Sequence, residues 1–498
     1  MIMTLAISLQ AVMRNLEGFF TVPDGGLQYC TFAFLLTFIA FYAVYLLACR
    51  GRQTVMMAYV VAFSLFFAYK SNGWLMLLLP ATVAITWLMT ERMRHCRRHR
   101  FRKLWATATI LLTLAPLLYF KYTNFSISTL NSILASNFAL MDIFLPVGIS
   151  FYTFQAISYI VDVYKGRFND RATLLEYAFF LTFFPLLLAG PITRAETLIP
   201  QLRRRAERKA DNEMIYSGLW LITLGILKKG LIADYIAQYN NWIFDDPAAF
   251  SGFENLMGVL GYTLQIYCDF SGYSDISIGL AALLGFKLLQ NFNSPYQSLN
   301  LSEFWHRWHI ALSTWFRDYI YIPLGGNRKG RWRTYLNNMI TMLFAGLWHG
   351  ASWMFVIWGS IHGVGLVIHK MLKPRLDRIA NTIPVRAVCW FVTFCYVAVA
   401  WIFFRAGSVG DAMLILERIG TDFSMDYFIP FCNARPVWMI FVIVAYALHA
   451  VRLADYERLR LWFVRTPWVV KLLIFTAAVQ LVINFRTANV QPFIYAQF

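Results

Sequence analysis

Five of the eight histidines lie between Tyr267 and His369: His306, His309, His349, His362 and His369. Asp269, Asp275, Glu303, Arg307, Arg317 and Asp318 share that stretch, whose flanks are apolar. Ionisable side chains in apolar surroundings are costly to keep and usually serve a function. Histidine is the side chain best suited to take up a proton near neutral pH. The set points to proton transfer at a polar centre enclosed by apolar helices.

His349 ends an apolar run and stands between Gly346 and Gly350, which permit close backbone approach. It reads equally as a base or as a histidine hydrogen-bonded between helices. His306 and His309 are spaced to fall on one face of a helix. A zinc site would need a third ligand, and neither an HExxH pattern nor a neighbouring cysteine supplies one, so no metal is expected. Trp305 and Trp308 around them suggest an amphipathic helix at the membrane interface. Arg317 and Asp318 adjoin and are expected to pair within a polar internal loop. The basic turn Pro323–Lys329 reads as a membrane-surface loop, with a phosphate contact as the alternative. His95 and His99 belong to a basic loop, and His449 lies in an apolar span where it reads as structural.

The elements that must position these residues are membrane helices. Of the 498 residues, 59% are hydrophobic and 14% charged, and mean hydropathy is +0.53. Soluble domains carry roughly a quarter charged residues, so one soluble core is excluded. Crossing the hydrocarbon takes about 20 mostly apolar residues. Thr31–Cys49, Trp74–Thr90, Leu104–Phe120, Val385–Phe404 and Trp468–Val482 are among the stretches that meet or approach this. The expected fold is an all-α polytopic membrane protein of roughly 11–13 transmembrane or re-entrant helices.

The net charge of +18 sits in short loops between apolar runs, as cytoplasmic loops require, and not on a face that would bind nucleic acid. The basic loops place Glu91–Lys103 inside, Asp234–Glu254 and Ala406–Asn433 outside, and both termini outside. Lys165, Arg167 and Arg171 on one flank, and Arg203 to Lys209 on the other, both require the inside. Only one apolar run, Tyr177–Pro191, separates them. That run should therefore be re-entrant, and Pro185, Gly190 and Pro191 interrupt its helix. The seven cysteines show no CxxC and no disulfide framework, and the N-terminus lacks the basic region of a cleaved signal peptide.

Several motifs occur in order: Asp269-Phe270-Ser271-Gly272-Tyr273-Ser274-Asp275, Asn291-Phe292-Asn293-Ser294-Pro295-Tyr296, Phe304 to Ser313, and Arg317 to Arg328. Leu347-Trp348-His349-Gly350-Ala351, Trp358 to Gly363 and Trp401 to Ala406 follow. Together they resemble the bacterial membrane-bound O-acyltransferases, nearest to the alginate O-acetyltransferase (AlgI-type) branch. The likeness runs from Tyr267 to Ala406 and extends weakly upstream to Pro146. It implies N-terminal membrane helices over 1–140, a catalytic core over 141–406 built around a funnel or tunnel, and C-terminal membrane helices over 407–498. It further implies His349 as the catalytic histidine and His309 as the second, supporting residue. Arg307, Arg317, Asp318 and Trp348, in the same motifs, are the candidate substrate-binding residues. His306 stands where relatives often carry Arg, so catalysis is not expected to rest on it.

The acyl donor implied is acetyl-CoA from the cytoplasm, passed across the bacterial inner membrane to an exported polysaccharide such as alginate or cellulose. The implied partners are a periplasmic SGNH-type acetyltransferase or another acyl-carrying protein, the polysaccharide synthesis and export machinery, and membrane lipid. Two rivals stand beside this reading. One is a D-alanyl transferase of the same family, which the extra C-terminal spans oppose. The other is a transporter, since intramembrane His and Asp also mark ion routes.

Overall fold

A computed structural model describes residues 27–48, 52–188, 190–204, 211–378, 382–485 and 494. Cys49, Arg50, Ala189, the basic cluster from residue 205 to Lys209 and both termini lie outside these described residues. The regular elements among the described residues are all helical. Six helices are long and apolar enough to cross a membrane: Gln53–His95, His99–Leu134, Asn212–Asp245, Trp353–Leu376, Ile383–Arg405 and Trp468–Phe485. A further pair, Met425–Ala434 and Pro436–His449, is bent by 103°. The chain is a multi-pass membrane protein. The described residues form two compact units, one within 27–120, 143–188 and 195–204, the other within 121–142, 190–194 and from 211 onward.

In the first unit, the run that begins at Tyr177 is not one helix. Leu174–Thr182 stops at Phe183, and Phe184–Leu187 starts afresh with Pro185 in its first turn. Broken backbone at membrane depth needs partners from the protein itself. Phe184 finds them: its amide donates to the Ser64 hydroxyl at 3.1 Å, and its carbonyl accepts from the Tyr29 hydroxyl at 2.8 Å. Its ring packs edge-on against Phe41, Phe63 and Phe67. The near end is fixed by a capping box between Thr173 and Glu176, and Arg203 clamps the Glu176 carboxylate at 2.8 Å. Burial works to raise that carboxyl's pKa, but the Arg203 and Thr173 hydrogen bonds outweigh it and hold the group below its ordinary range.

In the second unit, Gly252–Leu283 is a single helix of 32 residues, about three quarters of them buried. Hydropathy divides it into two apolar runs because Asp269, Ser271, Ser274 and Asp275 fall in its middle. Inside the fold Asp269, Asp275 and Ser274 are paired, and the helix runs through unbroken. Gly218 and Gly225 of the Asn212–Ile226 helix lie against Gly279 and Gly272, so the two backbones meet with no side chain between them. Just beyond, the turn Leu227–Ala233 widens to π-helical spacing and presents consecutive lysines. Lys229 bridges Asp269 at 2.5 Å and Asp234 at 2.7 Å, and Lys228 pairs with Asp275 at 2.6 Å. The Ile494 amide also donates to Asp269, at 3.0 Å.

Candidate active site

His349 is the last residue of the helix Arg331–His349. Gly350 follows in extended conformation, and the chain turns into the helix Trp353–Leu376. These two helices pack with Gly346 against Gly359, where a Cβ built on either would come within 3.3 Å of the other's Cα. A side chain at either glycine would also meet the carbonyl of Phe355 or Met342. This close approach lays Trp358 on His349, ring centres 4.9 Å apart. Phe404 closes another side at 5.4 Å and Trp348 another at 4.9 Å. His349 is 2% exposed, and His309 and His362 are fully buried.

His309 reaches the same place from a different element. The expected helical face shared by His306 and His309 does not exist. Leu301–Arg307 ends at Trp308, His309 takes a left-handed backbone (φ 42°, ψ 56°), and Ile310–Phe316 begins after it. The break turns His309 inward, 5.9 Å from Trp348 between ring centres. His306 is left outside, bonded to the Ser302 carbonyl. The segment is not an interfacial amphipathic helix either, because Trp308 is fully buried. Its tryptophans serve the enclosure of the site and not the membrane surface.

The tautomer of His309 follows from its neighbours. Asn291 Oδ1 accepts the Ala311 backbone N–H at 3.1 Å, which identifies that atom as the amide oxygen. The same oxygen lies 3.0 Å from His309 Nδ1, so Nδ1 must carry the hydrogen. Asn291 Nδ2 in turn donates to Ser274 Oγ at 3.1 Å. His309 Nε2 is left as a lone-pair nitrogen with no hydrogen-bond partner among the described residues. Buried polar groups without partners are rare, and each calls for an explanation. The same holds for both ring nitrogens of His362 and for the indole N–H groups of Trp305 and Trp358. Trp358 and His362 meet edge-on one turn apart on one helix, 4.8 Å between centres. That i, i+4 spacing was the sequence signal for His362 and Trp358, which the motifs contain without a role. Asn291 had no signal beyond its place in a motif.

The other candidates divide. Trp348 is buried beside His349. Arg307 turns to Glu303 at 2.8 Å and to the Asn293 carbonyl. Arg317 pairs with Asp318 at 2.9 Å, but on the helical turn Arg317–Tyr321 and with Arg317 exposed, not in an internal loop as expected; Asp318 also meets Arg194 at 3.4 Å. Arg317 lines a cavity of about 260 Å³ together with Trp305, Met342, Ala345, Leu366 and Lys370. Ala345 lies one turn before His349, so the cavity runs along the helix that carries the site. His449 accepts the Tyr296 amide at 3.1 Å, a structural role. Among the described residues, no group of three His, Cys, Asp or Glu is placed to hold a metal ion.

Residues 168–409 match the sequence profile of MBOAT, the membrane-bound O-acyltransferase family. The chain is 40% identical over 387 residues to a probable alginate O-acetylase AlgI of Azotobacter vinelandii, covering 76% of this chain and 74% of that one. It is 39% identical over 393 residues to a protein of the same description from Pseudomonas aeruginosa, covering 78% and 73%. A peptidoglycan O-acetyltransferase of Helicobacter pylori is 34% identical over 383 residues, covering 72% of each chain.

Proposed function

Because the chain belongs to the membrane-bound O-acyltransferase family, we propose that it passes an acetyl group from cytoplasmic acetyl-CoA towards an exported polysaccharide at a bacterial inner membrane. It is a membrane O-acyltransferase; the donor, acceptor and orientation are the proposal. The observation that carries it is the buried histidine cluster at the end of the helix whose Met342 and Ala345 line the 260 Å³ cavity. A thioester arm fits between Trp305, Met342 and Leu366, with the cationic Arg317 and Lys370 in the same wall to meet the donor's phosphates. Asp318 holds Arg317 in place.

At the inner end His349 takes the proton of the attacking hydroxyl as its oxygen bonds to the thioester carbonyl carbon. The tetrahedral intermediate collapses, the C–S bond breaks, and His349 returns the proton to the departing thiolate, leaving CoA-SH and the ester. His309 presents a lone pair at Nε2, so in this tautomer it supports as a second acceptor of protons. Donation to the developing oxyanion falls to the indole N–H of Trp358.

Two of the similar proteins carry alginate in their names and one peptidoglycan, which favours alginate as acceptor over cellulose. The loop charges support Glu91–Lys103 in the cytoplasm and both termini in the periplasm. The chain carries no GDS-type serine motif, so a periplasmic SGNH-type partner completes the transfer, docking at Asp234–Glu254 or Ala406–Asn433. Inverted membrane vesicles given acetyl-labelled CoA should yield alkali-labile label on the polymer only when polymer and periplasmic fraction are enclosed in their lumen. Label that enters from another acyl donor but not from acetyl-CoA overturns the donor assignment. Label that appears without the periplasmic fraction overturns the partner.

A further inference from the structure

A helix leaves its last carbonyls without donors of its own, and in apolar surroundings the protein must supply them. The helix Arg331–His349 ends in that position, among Trp358, Phe355 and Phe404. Its final three carbonyls are met in order by two consecutive residues of another helix, His99–Leu134. The Tyr122 hydroxyl donates to the Leu347 carbonyl at 2.7 Å. The Lys121 ammonium donates to the Trp348 carbonyl at 2.5 Å and to the His349 carbonyl at 3.0 Å. Lys121 Nζ also stands 5.9 Å from the centre of the Trp348 ring. One turn further along, Phe125 packs its ring against Trp353, the first residue of the next helix, at 5.6 Å. A single face of one helix thus grips both sides of the turn that presents His349.

We propose that Lys121 is a positioning residue for the catalytic histidine, with Tyr122 and Phe125 as its auxiliaries. This rests on the reading of His349 as the base. The ammonium does three things at once. It satisfies the carbonyl of the catalytic residue itself, it places a cation at the negative end of the helix dipole, and it fixes the indole beside the imidazole. A lysine that served only to anchor one helix to another would need no bond to residue 349. A lysine that bound the donor would aim its ammonium into the cavity by Arg317 and Lys370, which Lys121 does not line.

The test uses the full-length protein in its native membrane. Lys121→Met keeps the length of the side chain and removes both hydrogen bonds. It should lower kcat for acetyl transfer about 10- to 100-fold, the cost of orphaned buried carbonyls, with KM for acetyl-CoA within about twofold. Amide hydrogens over residues 343–351 should exchange faster, while those of Gly252–Leu283 keep their protection. Tyr122→Phe, which loses one bond and no volume, should lower kcat about threefold. Unchanged kcat, a raised KM at unchanged kcat, or unchanged exchange over 343–351 overturns the proposal. Should Lys121→Met fail to accumulate, Tyr122→Phe decides by the same criteria. If wild-type vesicles show no transfer from acetyl-CoA, it is the donor reading that fails, and the exchange measurement still judges the clasp.

Discussion

Two polar clusters lie inside the second unit, and they are built on opposite plans. Around Lys229 every charge meets its opposite: Asp269 and Asp234 on one lysine, Asp275 on the next, at 2.5–2.7 Å. Around His349 the described side chains are aromatic apart from Lys121, which is spent on backbone carbonyls. His309, His362, Trp305 and Trp358 each keep a buried nitrogen without a hydrogen-bond partner among the described residues. Both are fully buried at their centres, with Asp269 and Lys229 at 1% exposure and His309 at 0%. Burial alone therefore does not mark a site. A cluster whose groups are all satisfied holds helices together. A cluster that keeps nitrogens available has room for a substrate to supply the missing bonds.

That contrast can be broken by substitution. His349→Gln should have the largest effect, a fall of about 10²–10⁴-fold in polymer acetylation at matched expression, because an amide keeps the hydrogen bonds but cannot take up a proton. Substantial acetylation by this variant removes His349 from the mechanism and leaves His309 as the better candidate. His309→Asn comes next, at about 10²-fold in the same assay. Asparagine tolerates the left-handed backbone, so the loss reports the imidazole and not the fold.

Lys229→Met tests the other cluster. It strands the buried carboxylate of Asp269 and the partly exposed one of Asp234, and should cost about 3–5 kcal/mol of stability, read as a lowered unfolding temperature in detergent. The protein that does fold should still transfer acetyl groups. A large loss of rate at unchanged stability would show that the lysine cluster takes part in chemistry. His306→Ala is the smallest change, within about twofold in rate, because this exposed side chain borders the cavity but stands apart from the buried histidines.

The sequence made much of this legible, for identifiable reasons. The apolar runs announced membrane helices, because lipid exposure leaves a long, unbroken hydropathy signal at Ile383–Arg405 and Trp468–Phe485. The interrupted helix after Tyr177 was readable from charge on its flanks and Pro185 within it. His349 was readable from its glycine-flanked motif. The misreading came where period and context part company. A three-residue spacing places His306 and His309 on one face only if the helix continues, and nothing local says that it stops at Trp308. The lysines at 228 and 229 were hidden for a related reason. They sit at the end of an apolar span, and their partners at 234, 269 and 275 become neighbours only once the Gly252–Leu283 helix is packed. Lys121 was visible only as the last charge before an uncharged stretch, since its role depends on carbonyls more than 200 residues away.

The backbone at His309 carries one more consequence, for how this protein would respond to selection. A left-handed conformation costs an L-residue about 1–2 kcal/mol, and the hydrogen bond from Nδ1 to Asn291 returns about 0.5–1.5 kcal/mol of it. Histidine is thus an uneconomical choice there, where asparagine or glycine would sit more easily. Natural proteins hold such residues against the drift towards stability only while activity is selected. A library randomised at this position and screened for heat resistance alone should enrich Asn and Gly over His, and its survivors should be poor catalysts.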